Sequence, residues 1–227
     1  SSAASDVYKR QLEVMPYFRY LLNTVIIVVS NVGGSVLSAS LCAFSFSRMR
    51  WPGRDKIFMV ILTALMMPTI VTMIPTFVMW SELGLTNSLV PLTLPIWFGG
   101  GVYNIFLFRQ FFMGIPKELD EAALIDGASF FTIYWRITLP LSKSVMVVVA
   151  IFSFLNSWND FMGPLIYLND ESKYTLSLGL QLFQGNYSAQ WHLLMAAAIL
   201  VLIPAIIVFF LGQKQIMEGI ATTGIKG

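Results

Sequence analysis

The sequence predicts an all-α membrane protein, a polytopic bundle with five transmembrane helices. Three observations lead to this prediction. The 227 residues are 56% hydrophobic and only 11% charged, which is about half the charged fraction of a soluble domain. The chain contains several charge-free runs that are long enough to cross a bilayer. The remaining charges gather between those runs, above all in residues 117–143, which hold 7 of the chain's 26 charged side chains.

Composition also argues against several classes of function. The net charge of +2 is too small to indicate a nucleic-acid partner. The single cysteine, Cys42, lies in an apolar run, so no disulfide framework and no Cys/His metal spacing is available. We therefore expect no metal and no cofactor. Residues 1–11 match neither a signal peptide nor a span, and we interpret them as a non-native or disordered leader.

The charge-free runs place the spans. A helix that rises 1.5 Å per residue needs about 20 apolar residues to cover the hydrocarbon core of a bilayer. The His192 side chain falls where the last run begins, beside Trp191, and is expected at the membrane interface. The predicted spans are residues 20–46, 57–80, 86–110, 142–166 and 192–212.

The lysine and arginine residues predict the orientation of these spans. Ten positive side chains fall on the side that holds residues 48–56, 109–143 and 213–227, and four fall on the other side. The richer side is expected to be cytoplasmic. Five spans then place the N-terminus outside and the C-terminal tail, residues 213–227, inside. An outside N-terminus without a signal peptide suggests that one preceding span is missing.

The first span carries a stripe of small residues. Ser30, Gly34, Ser38 and Cys42 recur every four residues, so they lie on one helical face that another backbone can approach closely. Packing within this subunit is the favoured interpretation, and a contact with another subunit is the alternative.

Prolines and polar residues mark candidates for a translocation path. Two prolines seven residues apart should bend the second span, and the third span is broken by prolines and by Gly99, Gly100 and Gly101. Such breaks are tolerated where a neighbour or a watery cavity satisfies the freed carbonyls. The motif NSWNDF at the end of the fourth span is costly in lipid, unless its carboxylate lies at the outer interface. The candidates are Pro68, Pro75, Asn156, Asn159 and Asp160.

The charged segment at residues 115–141 reads as a helix-turn-helix element in the cytoplasm. Pro116 suits a helix start, and three acidic residues follow at the positive end of the helix dipole. Gly127 is placed to end this helix in a left-handed turn, and Ser129 can cap a second short helix, FFTIYWRI, which Leu139-Pro140 closes. Because the segment also exposes aromatic residues, a docking element for another protein explains it better than a solvated loop.

The spacing of this segment resembles a known motif. Glu121-Ala122-Ala123, then Gly127, then Ile137, then Leu139-Pro140 resembles the EAA loop of the permease subunits of binding-protein-dependent ABC importers. The segments SRMRWPGRDKIF, MMPTIVTMIPTF, SWNDFMGPLIYL and GIATTGIKG extend the resemblance to the carbohydrate-uptake branch, in particular to the smaller, maltose-type permease subunit. Members of that branch have six spans, one more than this chain.

The resemblance implies a mechanism and a set of partners. The EAA loop would be a coupling helix seated on a cytoplasmic ATPase dimer, whose closure would rock the spans between inward-facing and outward-facing states. The chain would form half of a sugar path together with a second permease subunit in the bacterial inner membrane. The outer segment 169–190 would face an extracytoplasmic solute-binding protein. The coupling positions so implied are Glu121, Ala122, Ala123, Asp126, Gly127, Ile137, Leu139 and Pro140.

Other functions fit the residues less well. The chain has no GxxxxGK[ST] loop, so ATP would be hydrolysed by another polypeptide. An intramembrane hydrolase would need a nucleophile and base at matching depth, and an ion-coupled transporter would need buried acids and internal repeats. An ABC importer permease for a non-sugar solute, such as a phosphorylated polyol or a peptide, remains the alternative.

Overall fold

The apolar runs of the chain fold into helices. A computed structural model describes residues 16–181 and 191–224, with the side chains of residues 16–181, 191 and 194–213. Within these ranges the regular elements are helices, and none is a strand. Short 3₁₀ turns cover Ala64–Met66, Pro95–Trp97 and Glu171–Lys173, and a π-helix covers Tyr134–Thr138. The α-helices are α1 (Tyr17–Arg48), α2 (Arg54–Thr63), α3 (Thr69–Glu82), α4 (Val90–Thr93), α5 (Val102–Met113), α6 (Glu118–Ile125), α7 (Phe130–Ile133), α8 (Leu139–Leu141), α9 (Lys143–Trp158), α10 (Met162–Tyr167), α11 (Leu176–Gly179) and α12 (Trp191–Gly224).

Three helical stretches of the described chain are long and apolar enough to cross a membrane. They are Tyr17–Arg48, Val90–Met113 and Leu194–Gln213. Two further stretches pass the same test only as bent pairs, which raises the number of candidate spans to as many as five. Large apolar side chains on these stretches are widely exposed, since Phe98 is 81% and Leu211 76% accessible. Such a surface requires lipid or a protein partner around it.

Besides the predicted span 86–110, which is interrupted between α4 and α5 as its prolines and glycines predicted, two of the predicted spans are not continuous helices. The predicted span 57–80 is bent by 98° between Met66 and Thr69, because Met67 precedes a proline and is extended at φ −81° and ψ 119°. The predicted span 142–166 ends as a helix at Trp158, and α9 is itself bent by 80° from the helical stretch Phe130–Leu141 before it. The bend beside Pro68 agrees with the bend that the prolines of this span predicted, whereas the end of α9 at Trp158 lies inside the predicted fourth span.

The chain divides into two compact units. Among the described residues, the first comprises residues 16–30, 73–94, 153–181 and 191–211, and the second comprises residues 31–72, 95–152 and 212–224. The second unit contains the segment predicted to dock a partner. Its largest cluster of buried side chains is drawn from α1, α2, α5 and α7–α9 and consists of Ala39, Ala43, Phe44, Phe46, Phe58, Ile105, Phe108, Phe112, Ile115, Ile133, Tyr134, Leu139, Val145 and Val149.

The small residues of α1 pack within the subunit, as the favoured interpretation predicted. The Ser38 hydroxyl donates to the Trp97 carbonyl at 2.8 Å and accepts from the Gly99 amide at 2.8 Å. A Cβ atom at position 34 would lie 2.7 Å from the Ile96 side chain. A side chain larger than hydrogen at position 34 would therefore force Ile96 to move.

Gly100 makes the closest approach to α1, and this leads to a first prediction. Its φ is +68°, and an added Cβ would lie 2.6 Å from the Ala39 Cβ and closer still to the Ala39 amide nitrogen. Gly100→Ala should therefore combine about 1–2 kcal/mol for the left-handed conformation with about 1–3 kcal/mol of overpacking. Thermal unfolding of the purified protein in detergent measures the effect.

Gly84→Ala is the matched control for this substitution. Gly84 has a nearly identical φ of +67°, but nothing lies within 4 Å of its added Cβ. It should show the conformational cost alone. Equal losses of stability in the two variants would contradict the close approach of Gly100 to Ala39.

Candidate functional site

The first helix of the charged segment, α6, ends in a Schellman motif. The Ala128 amide donates to the Ala123 carbonyl at 2.9 Å, and the Gly127 amide donates to the Leu124 carbonyl at 3.0 Å. Gly127 has a φ of +82°, which only glycine adopts without strain. The predicted left-handed end of this helix is confirmed. Because both hydrogen bonds use backbone groups, the motif fixes the direction in which the chain leaves α6.

The second helix begins as predicted but ends elsewhere. The Ser129 hydroxyl accepts from the Thr132 amide at 3.2 Å, so the predicted cap is confirmed. The prediction that Leu139-Pro140 closes this helix is wrong. The chain passes from α7 through the π-helix into α8 and stops at Ser142, where ψ is 19°. Pro140 lies in the first turn of α8, a position at which proline is common.

The structure divides the predicted coupling positions into two groups. Ala123 and Ile137 pack against the buried cluster of the second unit, and Leu139 belongs to that cluster at 7% exposure. The outward group is exposed and consists of Glu121, Ala122, Asp126, Gly127 and Pro140. Because adjacent residues of a helix point in directions about 100° apart, Ala122 is exposed while Ala123 packs against the cluster. The part of each alanine in docking stays a prediction.

The exposed surface of α6 combines one carboxylate with apolar groups. Glu121 and Ala122 are exposed, and Ile125, one turn after Ala122, is 87% accessible. On the next helix Phe131 is 65% accessible. A large apolar side chain that protrudes beside a small residue and an acid is typical of a protein contact. We refer to Glu121, Ala122 and Ile125 as the α6 face.

Arg48, which no sequence pattern marks as a site residue, anchors the α6 face. Its guanidinium is 2% exposed and forms a 3.0 Å ion pair with Asp120 on α6. It also donates to the Phe112 and Ile115 carbonyls at 2.7 and 2.8 Å. The Phe112 carbonyl lies in the last turn of α5, where the Ile115 amide also donates to it at 3.1 Å, and the Ile115 carbonyl lies in the connection that follows α5. One side chain at the end of α1 therefore ties together the end of α5 and the first turn of α6.

Burial raises the pKa of Asp120. The neighbouring Arg48 charge and its hydrogen bond offset part of that rise. The Asp120 Oδ1 atom is buried and accepts no hydrogen bond in the described part of the chain. The ionised carboxylate therefore depends on Arg48.

The π-helix positions a second buried polar contact. The Tyr134 hydroxyl lies 2.8 Å from the Ser40 hydroxyl, and both side chains are at most 1% exposed. The Tyr134 ring also packs edge-on against Phe44, with ring centroids 5.5 Å apart. The second helix of the element is thereby fixed to α1, and its exposed aromatic residues project from a rigid base.

The candidates for a translocation path have local roles in the described structure. The Asp160 carboxylate accepts from the Gly163 amide at 3.0 Å and caps α10, and the Asn159 amide donates to the Leu155 carbonyl at 2.8 Å. Asn156 is exposed. Pro68 lies in the break between α2 and α3, and Pro75 lies inside α3. Their role in a path stays a prediction.

The outer segment before α11 is fixed by asparagines that sequence reasoning missed. Asn87 was placed inside the predicted span 86–110, but it lies before α4 with a φ of +56°. Its Oδ1 accepts from the Asn169 and Asp170 amides at 3.2 and 3.0 Å. Asn23 donates to the Ser172 and Tyr174 carbonyls, both at 3.0 Å. Asparagine is among the few residues that tolerate positive φ, which is the signal that marked this turn.

Comparison with known proteins gives one consistent family. The family described as binding-protein-dependent transport system inner membrane component matches residues 18–220. The arabinooligosaccharides transport system permease protein AraQ of Halalkalibacterium halodurans is 32% identical over 211 residues, which cover 93% of this chain and 75% of that protein. The sn-glycerol-3-phosphate transport system permease protein UgpE of Yersinia pestis is 35% identical over 207 residues, which cover 90% of this chain and 73% of that protein.

Solved structures agree with this family. A chain of a bacterial ABC transporter involved in the import of the acidic polysaccharide alginate has a TM-score of 0.81 and 25% identity, and the match covers 92% of this chain and 78% of that one. A chain of the MetNI methionine ABC transporter has a TM-score of 0.66 at 16% identity, over 89% of this chain and 95% of that one. The second likeness shows the fold alone.

Proposed function

The chain belongs to the family of binding-protein-dependent transport system inner membrane components, and from this premise we propose that it forms half of the translocation path of a bacterial sugar importer, driven through the α6 face. It is a multi-pass membrane protein and a non-catalytic permease subunit, and a separate ATPase hydrolyses ATP for it. A second permease subunit completes the path, and a solute-binding protein delivers the sugar to the outer side.

The α6 face is the observation that carries this proposal. It presents an exposed Glu121, a small Ala122 and a protruding Ile125, while Arg48 and the Gly127 turn hold its backbone to the rest of the unit. A contact that transmits movement must be held rigidly to the rest of the unit. A displacement of the α6 face is then passed on to α1 and α5. We place residues 115–141 and the tail 213–227 on the cytoplasmic side, where the ATPase binds.

The relatives support two candidate solutes. Permeases for arabino-oligosaccharides and alginate favour a sugar or oligosaccharide. The relative that serves sn-glycerol-3-phosphate supports a phosphorylated polyol as the second candidate. Binding-protein-dependent uptake of labelled arabino-oligosaccharide, compared with that of labelled sn-glycerol-3-phosphate, separates the two.

A cross-linking experiment tests the α6 face as the ATPase contact. The chain contains one cysteine, so Cys42→Ala gives a cysteine-free background. With benzophenone-maleimide attached, Ala122→Cys is expected to capture the ATPase subunit on illumination of the intact transporter. Ala123→Cys is the matched control, because position 123 packs against the buried cluster. It should capture little or none.

Two outcomes would overturn the proposal. One is equal capture of the ATPase from both positions, which would show that the α6 face is not selectively in contact. The other is labelling of Ala122→Cys in sealed, right-side-out vesicles by a membrane-impermeant maleimide, which would place the face outside. Asn169→Cys on the outer segment is exposed and serves as the positive control for labelling from outside.

A further inference from the structure

A basic cleft lies beside the charged element and contains none of the residues of the α6 face. It has a volume of about 490 Å³ and is lined by residues of the α1–α2 connection and the first turn of α2, together with Lys117 at the start of α6. Pockets that bind small molecules or headgroups have volumes of roughly 300–1,000 Å³. The cleft is therefore large enough for a ligand, and its lining indicates an anionic one.

The charges in the cleft do not cancel. Its carboxylate, Asp55, is paired on both sides, because Arg54 binds it with two hydrogen bonds of 3.1 Å and Arg109 contacts it at 3.3 Å. Within the described residues, the other three cations of the lining have no ion-pair partner. These cations are Arg50, Lys56 and Lys117. The cleft therefore carries uncompensated positive charge from three separate points.

An apolar strip leads away from this charge. On α2, Ile57 is 47%, Met59 72% and Val60 68% exposed. Val60 follows Lys56 by one helical turn, so the strip continues from the cleft along the same face. Trp51, whose indole donates to the Ser45 hydroxyl at 3.2 Å, also lines the cleft. Tryptophan is a residue type that is enriched at membrane interfaces.

We infer that this cleft binds the phosphate of an anionic phospholipid, whose acyl chains lie along the exposed apolar strip of α2. A soluble anion would use the three cations and leave the strip uncovered, whereas a phospholipid satisfies both. The leaflet rests on the proposed orientation, in which residues 48–56 are cytoplasmic and meet the anionic headgroups of that surface. The binding itself does not depend on the ATPase or on the solute.

Native mass spectrometry of the assembled transporter tests this inference. The transporter is released from nanodiscs that contain equal amounts of phosphatidylglycerol and phosphatidylcholine. Wild type should retain phosphatidylglycerol selectively, and the triple variant Arg50→Gln, Lys56→Gln, Lys117→Gln should lose it. Each positive charge near a membrane surface is worth roughly fivefold in affinity, so the triple variant should bind on the order of 100-fold more weakly.

A second triple variant is the matched control. Arg19→Gln, Arg136→Gln and Lys143→Gln removes three exposed cations that do not line the cleft, and it should retain phosphatidylglycerol as wild type does. Equal retention by the cleft variant would overturn the inference. So would displacement of the lipid by excess inorganic phosphate, which would identify a soluble anion as the ligand.

The same samples distinguish a protein ligand. If the cleft variant kept its lipid but lost the ATPase subunit from the complex, the cleft would be part of the ATPase interface and the lipid assignment would be wrong. Lipid retention is measured without a transport assay. Its outcome is therefore independent of the cross-linking result at Ala122.

Discussion

Gly127→Pro is expected to reduce sugar uptake at least tenfold while the assembled transporter still hydrolyses ATP. The native φ of +82° lies far from the value of about −65° that proline imposes, and the Gly127 amide donates to Leu124 in the turn. Proline removes that donor and redirects the chain at the end of α6. The α6 face should then meet the ATPase in a wrong orientation, so that ATPase closure no longer moves the spans.

Glu121→Lys tests the same coupling without a change of backbone. Glu121 is exposed on the α6 face, so charge reversal should leave the fold of this chain intact and place a repulsive charge in the contact. Uptake and ATP hydrolysis are measured together in proteoliposomes that contain the binding protein, and the ratio of solute moved to ATP consumed is the readout. Both variants should lower this ratio.

Two controls separate uncoupling from misfolding. Gly127→Asn should keep most of the uptake, because asparagine tolerates the left-handed conformation and retains the amide donor. Gly84→Pro introduces the same kind of backbone disruption at another glycine of positive φ that is not part of the α6 face. In the transporters that still assemble, this variant should leave the ratio of solute moved to ATP consumed unchanged. An unchanged ratio in Gly127→Pro and Glu121→Lys would remove the α6 face from the mechanism.

Features that depend on neighbours in sequence were predictable. The Gly127 turn, the Ser129 cap and the break near Pro68 each follow from the intrinsic conformation of one or two residues. The family was predictable for the same reason, since its motif lies within one short segment. The structure confirms the Gly127 turn and the Ser129 cap, and the comparisons confirm the family.

Features that depend on packing were not predictable. Ala122 and Ala123 are chemically identical, and only the position of the buried cluster decides that one is exposed and the other is not. Nothing local marks the π-helix, which accommodates Tyr134 against Ser40. The pair between Arg48 and Asp120 joins residues that are far apart in sequence. From the sequence, Arg48 therefore counted only as one of the positive charges that predict the orientation of the spans.

Arg48→Met should cost more stability than any substitution on the exposed α6 face. The guanidinium is 2% exposed and satisfies Asp120 and the carbonyls of Phe112 and Ile115. Its removal leaves a carboxylate with no compensating charge, and breaking a buried pair in this way costs about 3–5 kcal/mol. We expect a lower unfolding temperature of the purified protein and a lower yield of assembled transporter.

The loss of stability in Arg48→Met should become smaller as the pH is lowered, which a defect in packing alone would not show. Burial already raises the pKa of Asp120, and Arg48 opposes that rise. Without Arg48, the pKa of Asp120 in the folded protein rises further above its value in the unfolded chain. The folded form then binds the proton more tightly than the unfolded form does. The free energy of unfolding therefore falls as pH increases through the interval between the two pKa values. Arg48→Met should therefore regain stability on acidification from neutral pH, over a range in which wild type changes less.

Asp120→Asn in the Arg48→Met background completes the test. The amide carries no charge, so the double variant should recover part of the lost stability at neutral pH and lose the pH dependence. If Arg48→Met and the double variant unfold at the same temperature at every pH, the ion pair contributes nothing, and the α6 face is held by the two carbonyl contacts alone.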